Sequence, residues 1–389
     1  MDFALSEEHQ MLKDLVRRFV QEELMPLEPR VLKREAGGEP LSLTAEELAP
    51  LRAKCRDLGL WALDVPADLG GAELGTLARI VVVEELSRTV VPFVFPPDSP
   101  NLHMLLRAVN AEQREKYLMP YARGETICAI AISEPGAGSD PSAMSTRADR
   151  DGDNWIINGR KIWISRVAEA NFTIVMALTD PAKRAHGGIT AFLVDRGTPG
   201  MVVGQPSAIL GGYRTYEVIF EDCRLPASQV LGQVGQGFGP MQVRLTVRRL
   251  EIAGWSIGLA QRALEMMIEY AKQRVTFGQP LAERQAVQWW IADAATRIHA
   301  ARLMMREAAW RAERGEDIRT EASMTKVYAN EIASEIIDHA LQTHGAMGLA
   351  KEMPLQMMYQ LVRAHRIFEG PSEIHRWVVA RKLLRNSST

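Results

Sequence analysis

Three textures of hydrophobic and polar positions follow one another along the chain. In the first, apolar residues recur at helical spacing. "EEHQMLKDLVRRFVQEEL" sets Met11, Leu12, Leu15, Phe19 and Val20 on one face, the spacing of three and four by which one side of an α-helix meets a core. "LTAEELAPLRAKCRDLGL" places Thr44 as an N-cap with Glu47 three residues on, a pairing in which each side chain satisfies the other's backbone N–H. Gly59 and Gly70-Gly71 punctuate its end. Near residue 126 the pattern shortens. "ICAIAIS", "NWIINGRKIWIS", "FTIVMAL", "ITAFLVD" and "YEVIFED" are short, β-branched and aromatic, and separated by turn residues, which predicts strands. Asn158-Gly159 predicts a hairpin turn, because both residues tolerate positive φ. From about residue 236 the helical period returns: Leu264, Met267, Ile268 and Ala271 share one face, and Ile336, Ile337, Ala340 and Leu341 another.

The expectation is an α+β chain of three domains: a helical N-terminal domain over 1–125, a β-barrel or sandwich over 126–235, and a bundle of four or more helices over 236–389. "VVPFVFPPDSPN", 90–101, carries four prolines and predicts a rigid loop near the floor of any pocket.

Composition narrows the function. A length of 389 residues exceeds what one core usually serves. A net charge of −2 gives no general reason to bind nucleic acid or an anionic membrane. No apolar run is long enough to span a bilayer, and the N-terminus does not read as a secretory signal, so a cytoplasmic setting is expected. Cys55, Cys128 and Cys223 lie far apart, which predicts neither a disulfide framework nor a metal site.

Four segments carry candidate chemistry. "SEPGAGSD", 133–140, follows a strand; Gly136 and Gly138 let the backbone approach a ligand and Ser139 offers a hydroxyl, although an ordinary glycine-rich loop has the same composition. "KIWIS", 161–165, ends a strand on Trp163 and Ser165, and a tryptophan there also serves a core. "RVTFGQPLAERQ", 274–285, puts Arg274, Phe277 and Gln285 at a break between helices. "RIFEGPSEIHR", 366–376, sets Glu369 on a Gly370-Pro371 corner between two helical stretches. A carboxylate on such a corner is either a solvated helix-end residue or a group that has to face a pocket.

Together these segments resemble the acyl-CoA dehydrogenase family. The likeness covers essentially the whole chain: "SEPGAGSD", "INGRKIWIS", "VDRGTPGM", "FEDCRLPASQVLGQVGQGF", "RVTFGQPLAERQ", "LQTHGAMG" and "FEGPSEIH" occur in the family's order. The resemblance implies FAD. Ile132 and Ser133 would lie at the isoalloxazine ring, and Gly138 and Ser139 would reach the cofactor or the neighbouring thioester. Trp163 would cover a ring face, and Ser165 would offer a hydroxyl near N5. Arg274, Phe277 and Gln285, helped by Gln342 and Gly345, would hold the pyrophosphate and adenine of the FAD of a neighbouring subunit. The implied assembly is a homodimer or homotetramer with FAD at the subunit interface.

The implied reaction removes two hydrogens from adjacent carbons of an acyl-CoA thioester and passes electrons to an electron-transfer flavoprotein. Glu369 would take the α-proton, with its own backbone N–H among the donors to the thioester oxygen. Burial against Phe368 and the flavin is expected to raise its carboxyl towards working pH. Arg249, Phe368 and Gly370, with Ser139, would form the substrate wall.

The chain departs from the family pattern at several positions: Pro371 and Phe368 stand where threonine and tyrosine are usual, Thr246 replaces an aspartate that commonly contacts CoA, and Ser133 and Ser165 replace threonines. Arg248 occupies the position at which some members carry the base, and Glu251 is read as structural. "EGPSEIH" is similar to a branch whose motif reads Asp-Gly-Pro, associated with long or modified acyl chains. Two other functions share the fold: a flavin oxidase acting on acyl-CoA or nitroalkanes, and a non-catalytic acyl-CoA-binding scaffold.

Overall fold

The computed structural model describes residues 4–386. The N-terminal part is helical: α1 (Glu7–Phe19), α2 (Glu28–Ala36), α3 (Ala45–Asp57), α4 (Thr76–Leu86) and α5 (Leu102–Ala108), with short turns between them. In α3, Thr44 accepts from the Glu47 N–H and Glu47 from the Thr44 N–H, the reciprocal cap read from the sequence. The stripe on α1 is shifted. Val16, Phe19 and Val20 are buried, whereas Met11, expected on the core face, is 72% exposed. Leu12, Val16, Phe19 and Val20 sit four, three and one residues apart and form the centre of the buried face, which leaves Met11 beyond its edge. Phe19 packs against Phe93 and Phe95 with ring centroids 5.6 and 5.3 Å away. This contact ties the proline-rich loop down on the N-terminal core.

The middle region is one mixed sheet. Its strands are β1 (Cys128–Ala131), β2 (Arg147–Asp151), β3 (Asn154–Ser165), β4 (Phe172–Leu178), β5 (Ile189–Asp195), β6 (Met201–Ala208), β7 (Arg214–Pro226) and β8 (Val230–Leu231). They pair in the order β6-β7-β3-β2-β4-β5-β8, with β1 parallel to β4. Every residue of β4 is buried, as expected of a strand covered on both faces. One face packs on β3 and β7 through Trp155, Ile164, Val218 and Phe220. The other meets Leu102, Leu105 and Tyr121 of the N-terminal region and Met241 and Leu245 of the helix that follows the sheet.

The expected hairpin at Asn158-Gly159 is not there. Both residues lie inside the continuous strand β3, and the chain turns between β2 and β3 at Gly152 instead. Gly159 sits at a register shift against β7 with φ 148°. A Cβ there would lie 2.5 Å from Thr146 Oγ1. The Asn158 side chain is bound across to Asp222, accepting from its backbone N–H and donating to its carboxylate. Cross-strand pairing has turned a local turn signal into a bulge.

The C-terminal part comprises α6 (Phe238–Gln273), α7 (Gln285–Glu313), α8 (Arg319–His344), α9 (Pro354–His365) and α10 (Ser372–Asn386). Two-residue strands β9 (Val275–Thr276) and β10 (Gln279–Pro280) form a hairpin between α6 and α7. The faces read from the sequence are the buried ones: Leu264, Met267, Ile336, Ile337 and Ala340 join one core with Leu355, Met357 and Val362 of α9, and Ala271 is buried too. Among the described residues no helix is long and apolar enough to cross a membrane.

Candidate active site

Where the sheet, the proline-rich loop and α6 meet, the chain forms a continuous cleft of about 2020 Å³. That is well beyond the 300–1,000 Å³ typical of a single small-molecule pocket, and leaves room for two large ligands side by side. Ile132, Ser133, Gly138, Ser139, Trp163 and Ser165 line it from the sheet. Arg249 lines it from α6, and Phe368, Glu369 and Gly370 from the corner between α9 and α10. Ten positions singled out in the sequence therefore share one cavity. Thr89–Val94, Asp98 and Asn101 of the proline-rich segment line it as well.

Arg274, Phe277, Gln285, Gln342 and Gly345 are not among its walls. Phe277 sits at the tip of the β9–β10 hairpin, 97% exposed and at φ 49°. Gln285 opens α7, and Gly345, φ 59°, closes α8 three residues after Gln342.

The corner itself is closely tied. Helix α9 ends as Ile367 and Phe368 N–H both bond the Ala364 carbonyl. Glu369 then takes φ 55° and Gly370 φ 102°, so two successive residues lie in left-handed space. A non-glycine residue there is uncommon and has to be held by its surroundings. Here the holding groups come from the helices beneath. Lys326 of α8 donates to the carbonyls of His365 (3.1 Å) and Gly370 (2.8 Å). Asn330 donates to the His365 carbonyl, and Arg249 to the Glu369 carbonyl at 3.2 Å. The break between α9 and α10 thus turns a carboxylate into the cleft while its backbone is fixed by three side chains. Trp163 at φ 60° and Phe277 at φ 49° share the left-handed conformation. Three of the positions chosen for chemistry are therefore also strained.

Glu369 differs electrostatically from expectation. Its carboxylate accepts from Arg244 Nη1 at 2.7 Å, with side-chain exposures of 19% and 7%. Burial pushes the carboxyl up, as anticipated, but the charges of Arg244, Arg248 and Arg249 outweigh it. The group is held below the ordinary carboxylate value rather than raised. Arg244 also donates to Asn101 Oδ1 at 3.2 Å. Neither Arg244 nor Lys326 stood out in the sequence; the available signal for the first is that Arg244 and Arg248 are four apart on one helix, and so share a face. Burial, then Arg249, drives Lys326 down to about 7 against the pull of Glu369.

Glu251 serves structure. It is buried, bonding Arg248 at 2.7 Å and Arg79 at 2.5 Å, while Arg248 stacks 4.2 Å over Trp255. On the sheet side Glu134 anchors the glycine-rich loop. It accepts from Ser145 N–H (2.6 Å), Ser145 Oγ (2.7 Å), Thr146 N–H (2.9 Å) and Lys161 Nζ (2.8 Å). Lys161 also donates to the Ile132 carbonyl. The pair holds the Ile132 carbonyl, and it too went unread in the sequence.

The sheet wall fits a flat, aromatic cofactor. Trp163 stands 58% exposed at a strained backbone angle beside that loop, and a Cβ added at Gly138 would meet nothing within 4 Å. An open backbone and an uncovered indole suit a ring system brought from outside. Among the described residues no cluster of histidine, cysteine or carboxylate side chains could hold a metal ion.

Comparison with known proteins places the chain. The three domains described as acyl-CoA dehydrogenase N-terminal, middle and C-terminal match residues 6–125, 129–223 and 235–384. The chain belongs to the acyl-CoA dehydrogenase family, whose members are flavoproteins. It is 41% identical to the (R)-benzylsuccinyl-CoA dehydrogenase of Thauera aromatica, over 100% of this chain and 98% of that protein. It is 39% identical to the human mitochondrial short-chain specific acyl-CoA dehydrogenase, over 98% of this chain and 91% of that protein. The butyryl-CoA dehydrogenase of Megasphaera elsdenii superposes with a TM-score of 0.88 at 31% identity, covering 99% and 100% of the two chains. The chain is an oxidoreductase of this family.

Proposed function

We propose that the protein dehydrogenates an acyl-CoA thioester between its α and β carbons, with Glu369 as the base and FAD as the hydride acceptor. One observation carries the reading: a carboxylate on a left-handed corner, fixed by Lys326, Asn330 and Arg249, lines the same cleft as Trp163 and the 132–139 loop. The corner supplies a base whose backbone is held independently of its own charge. Glu369 would remove the α-proton, leaving a pair of electrons on the α carbon as the β carbon gives up a hydride. The bound flavin would supply the two-electron sink. The atoms balance as one proton to the carboxylate, one hydride to the cofactor, and a 2-enoyl thioester as product.

Ile132, Ser133, Gly138, Ser139, Trp163 and Ser165 would hold the isoalloxazine end. Arg274, Phe277, Gln285, Gln342 and Gly345, outside the cleft of their own chain, are the groups this reading gives to the FAD of a second copy. A homodimer or homotetramer follows from that arrangement. Arginine suits a pyrophosphate because its planar fork can bond two oxygens. An electron-transfer flavoprotein is the acceptor that the family implies.

The test is an anaerobic titration of the purified protein with acyl-CoA thioesters, following the oxidised flavin absorbance, with Glu369→Gln in parallel. The wild type should bleach, and the variant should stay yellow with turnover down at least ~10²-fold. Bleaching of the variant at the wild-type rate removes Glu369 from the role of base. A protein that takes up no FAD sinks the enzyme reading.

A further inference from the structure

Four cations face one carboxylate at the corner. Arg244, Arg248 and Arg249 all come from α6 and Lys326 from α8, and each bears on Glu369. Their counter-charges do not balance. Arg248 has Glu251 at 2.7 Å and the charge of Asp98 nearby, and Glu251 is shared with Arg79, which also pairs with Asp64. Lys326 donates to two carbonyls. Arg244 has Glu369 and the neutral Asn101, and among the described residues Arg249 donates only to the Glu369 carbonyl. Burial and Arg244 together pull the Arg249 guanidinium below its ordinary value, with Glu369 offsetting them in part. A guanidinium as buried as that of Arg244 is costly unless an anion meets it.

The same contact weakens the base. In the ion pair, one oxygen of Glu369 is occupied by Arg244, and proton affinity falls where a base needs it to rise. Glu369 gains the basicity that an α-proton requires when Arg244 lets go. A neutral acyl chain offers the guanidinium nothing in exchange. A carboxylate offers two oxygens to a planar fork.

We propose that Arg244 recognises a second carboxylate on the acyl group, so that the substrate is a short dicarboxylic acid linked to coenzyme A through one of its two carboxyls. This rests on the dehydrogenase reading above and names its substrate class. Binding exchanges one carboxylate for another on Arg244: the substrate takes the cation and Glu369 is released to face the α carbon. Geometry limits the length. Arg244 lies one hydrogen bond from Glu369, and Glu369 must come within one hydrogen-bond length of the α-proton. The second carboxylate therefore sits within roughly 6 Å of the α carbon. That matches succinyl- or glutaryl-sized groups, or an α-substituent ending in a carboxylate. The phosphates of coenzyme A cannot take this place, because the pantetheine arm holds them far from the thioester.

The test compares glutaryl-CoA and succinyl-CoA with 5-methylhexanoyl-CoA, in which two methyls replace the oxygens of the glutaryl carboxylate, and with butyryl-CoA. The holoenzyme is assayed by anaerobic flavin bleaching and steady-state turnover. Wild type should favour a carboxylated thioester over 5-methylhexanoyl-CoA by ~10²–10³ in kcat/KM, because a site built around a polar partner rejects an analogue lacking it. Arg244→Met should bring that ratio to about one or below, and Arg244→Lys should restore part of it. The wild-type ratio decides even if Arg244→Met fails to fold. Equal use of charged and neutral thioesters, or an Arg244→Met loss that is the same for both, overturns the proposal. Bleaching by butyryl-CoA alone overturns it while leaving the dehydrogenase reading standing; no bleaching by any thioester overturns both.

Discussion

The pair Glu134–Lys161 sets how firmly the glycine-rich loop is held, and its energetics can be worked from the structure. Both side chains are essentially out of solvent, at 2% and 0% exposure. Burial raises the Glu134 carboxyl, but Lys161 and the donors from Ser145 and Thr146 prevail and bring it from 4.5 to about 2. At about 1.4 kcal/mol per pKa unit, this is roughly 3 kcal/mol in favour of the fold. Lys161 runs the other way: burial lowers it from 10.5 to about 8 in spite of Glu134. Burial therefore opposes both charges and their mutual attraction offsets it, as is common for buried ion pairs. Breaking the pair is another matter, because it strands one buried charge.

Glu134→Gln should therefore cost about 3–5 kcal/mol. Adding Lys161→Met should recover most of that, since the amide oxygen can still accept from Ser145 and Thr146 and no charge remains; about 1–2 kcal/mol is left for the unsatisfied Ile132 carbonyl. Urea titration of the single and double variants, read by far-UV circular dichroism and tryptophan fluorescence, gives the coupling. A double variant as unstable as the two single losses added together would refute the reasoning. The sign in pH follows from the depressed carboxyl: its contribution is complete above pH 4.5 and is lost as pH falls towards 2.

Two further outcomes are expected. Gly159→Ala should destabilise by about 2 kcal/mol or more, because its φ of 148° is unfavourable and the new methyl meets Thr146 at 2.5 Å; a thermal midpoint equal to wild type would show that β3 and β2 can separate freely there. In the free enzyme Glu369 lies below its ordinary value of 4.5, so the acid limb of kcat/KM should fall below pH 4.5 and move upward in Arg244→Met, where burial is less opposed. A limb that stays in place would mean that Arg244 does not control the base.

What the sequence made legible was local. The Thr44–Glu47 cap spans three residues and depends on nothing else, and it is present as read. The Glu369-Gly370-Pro371 corner announced itself because a glycine followed by a proline disfavours continuing a helix. The failures are cases where a distant partner decided. Asn158-Gly159 carries a turn signal, but pairing with Asp222, 64 residues on, holds it in a strand. Met11 fits a helical stripe by count, but which part of a stripe is buried depends on what packs against it. Arg244 was invisible because its partner is 125 residues away. Lys326 resembled any lysine on a long helix until α8 placed it under a carbonyl 44 residues further on.

The two ends of Glu369 are held by different groups, and this division is what makes an exchange of partners feasible. Arg249 and Lys326 grip carbonyls of the corner, while the carboxylate is tied by Arg244. Were one residue to hold both, opening the ion pair would loosen a backbone already in an unfavourable conformation, and the base would be freed and misplaced together. As built, the carboxylate can leave Arg244 by rotating its own side chain, while the left-handed corner stays where Lys326, Asn330 and Arg249 fix it. A positioned base needs a rigid backbone, and a releasable one needs a single side-chain contact. The corner between α9 and α10 has both, from different side chains of α6 and α8.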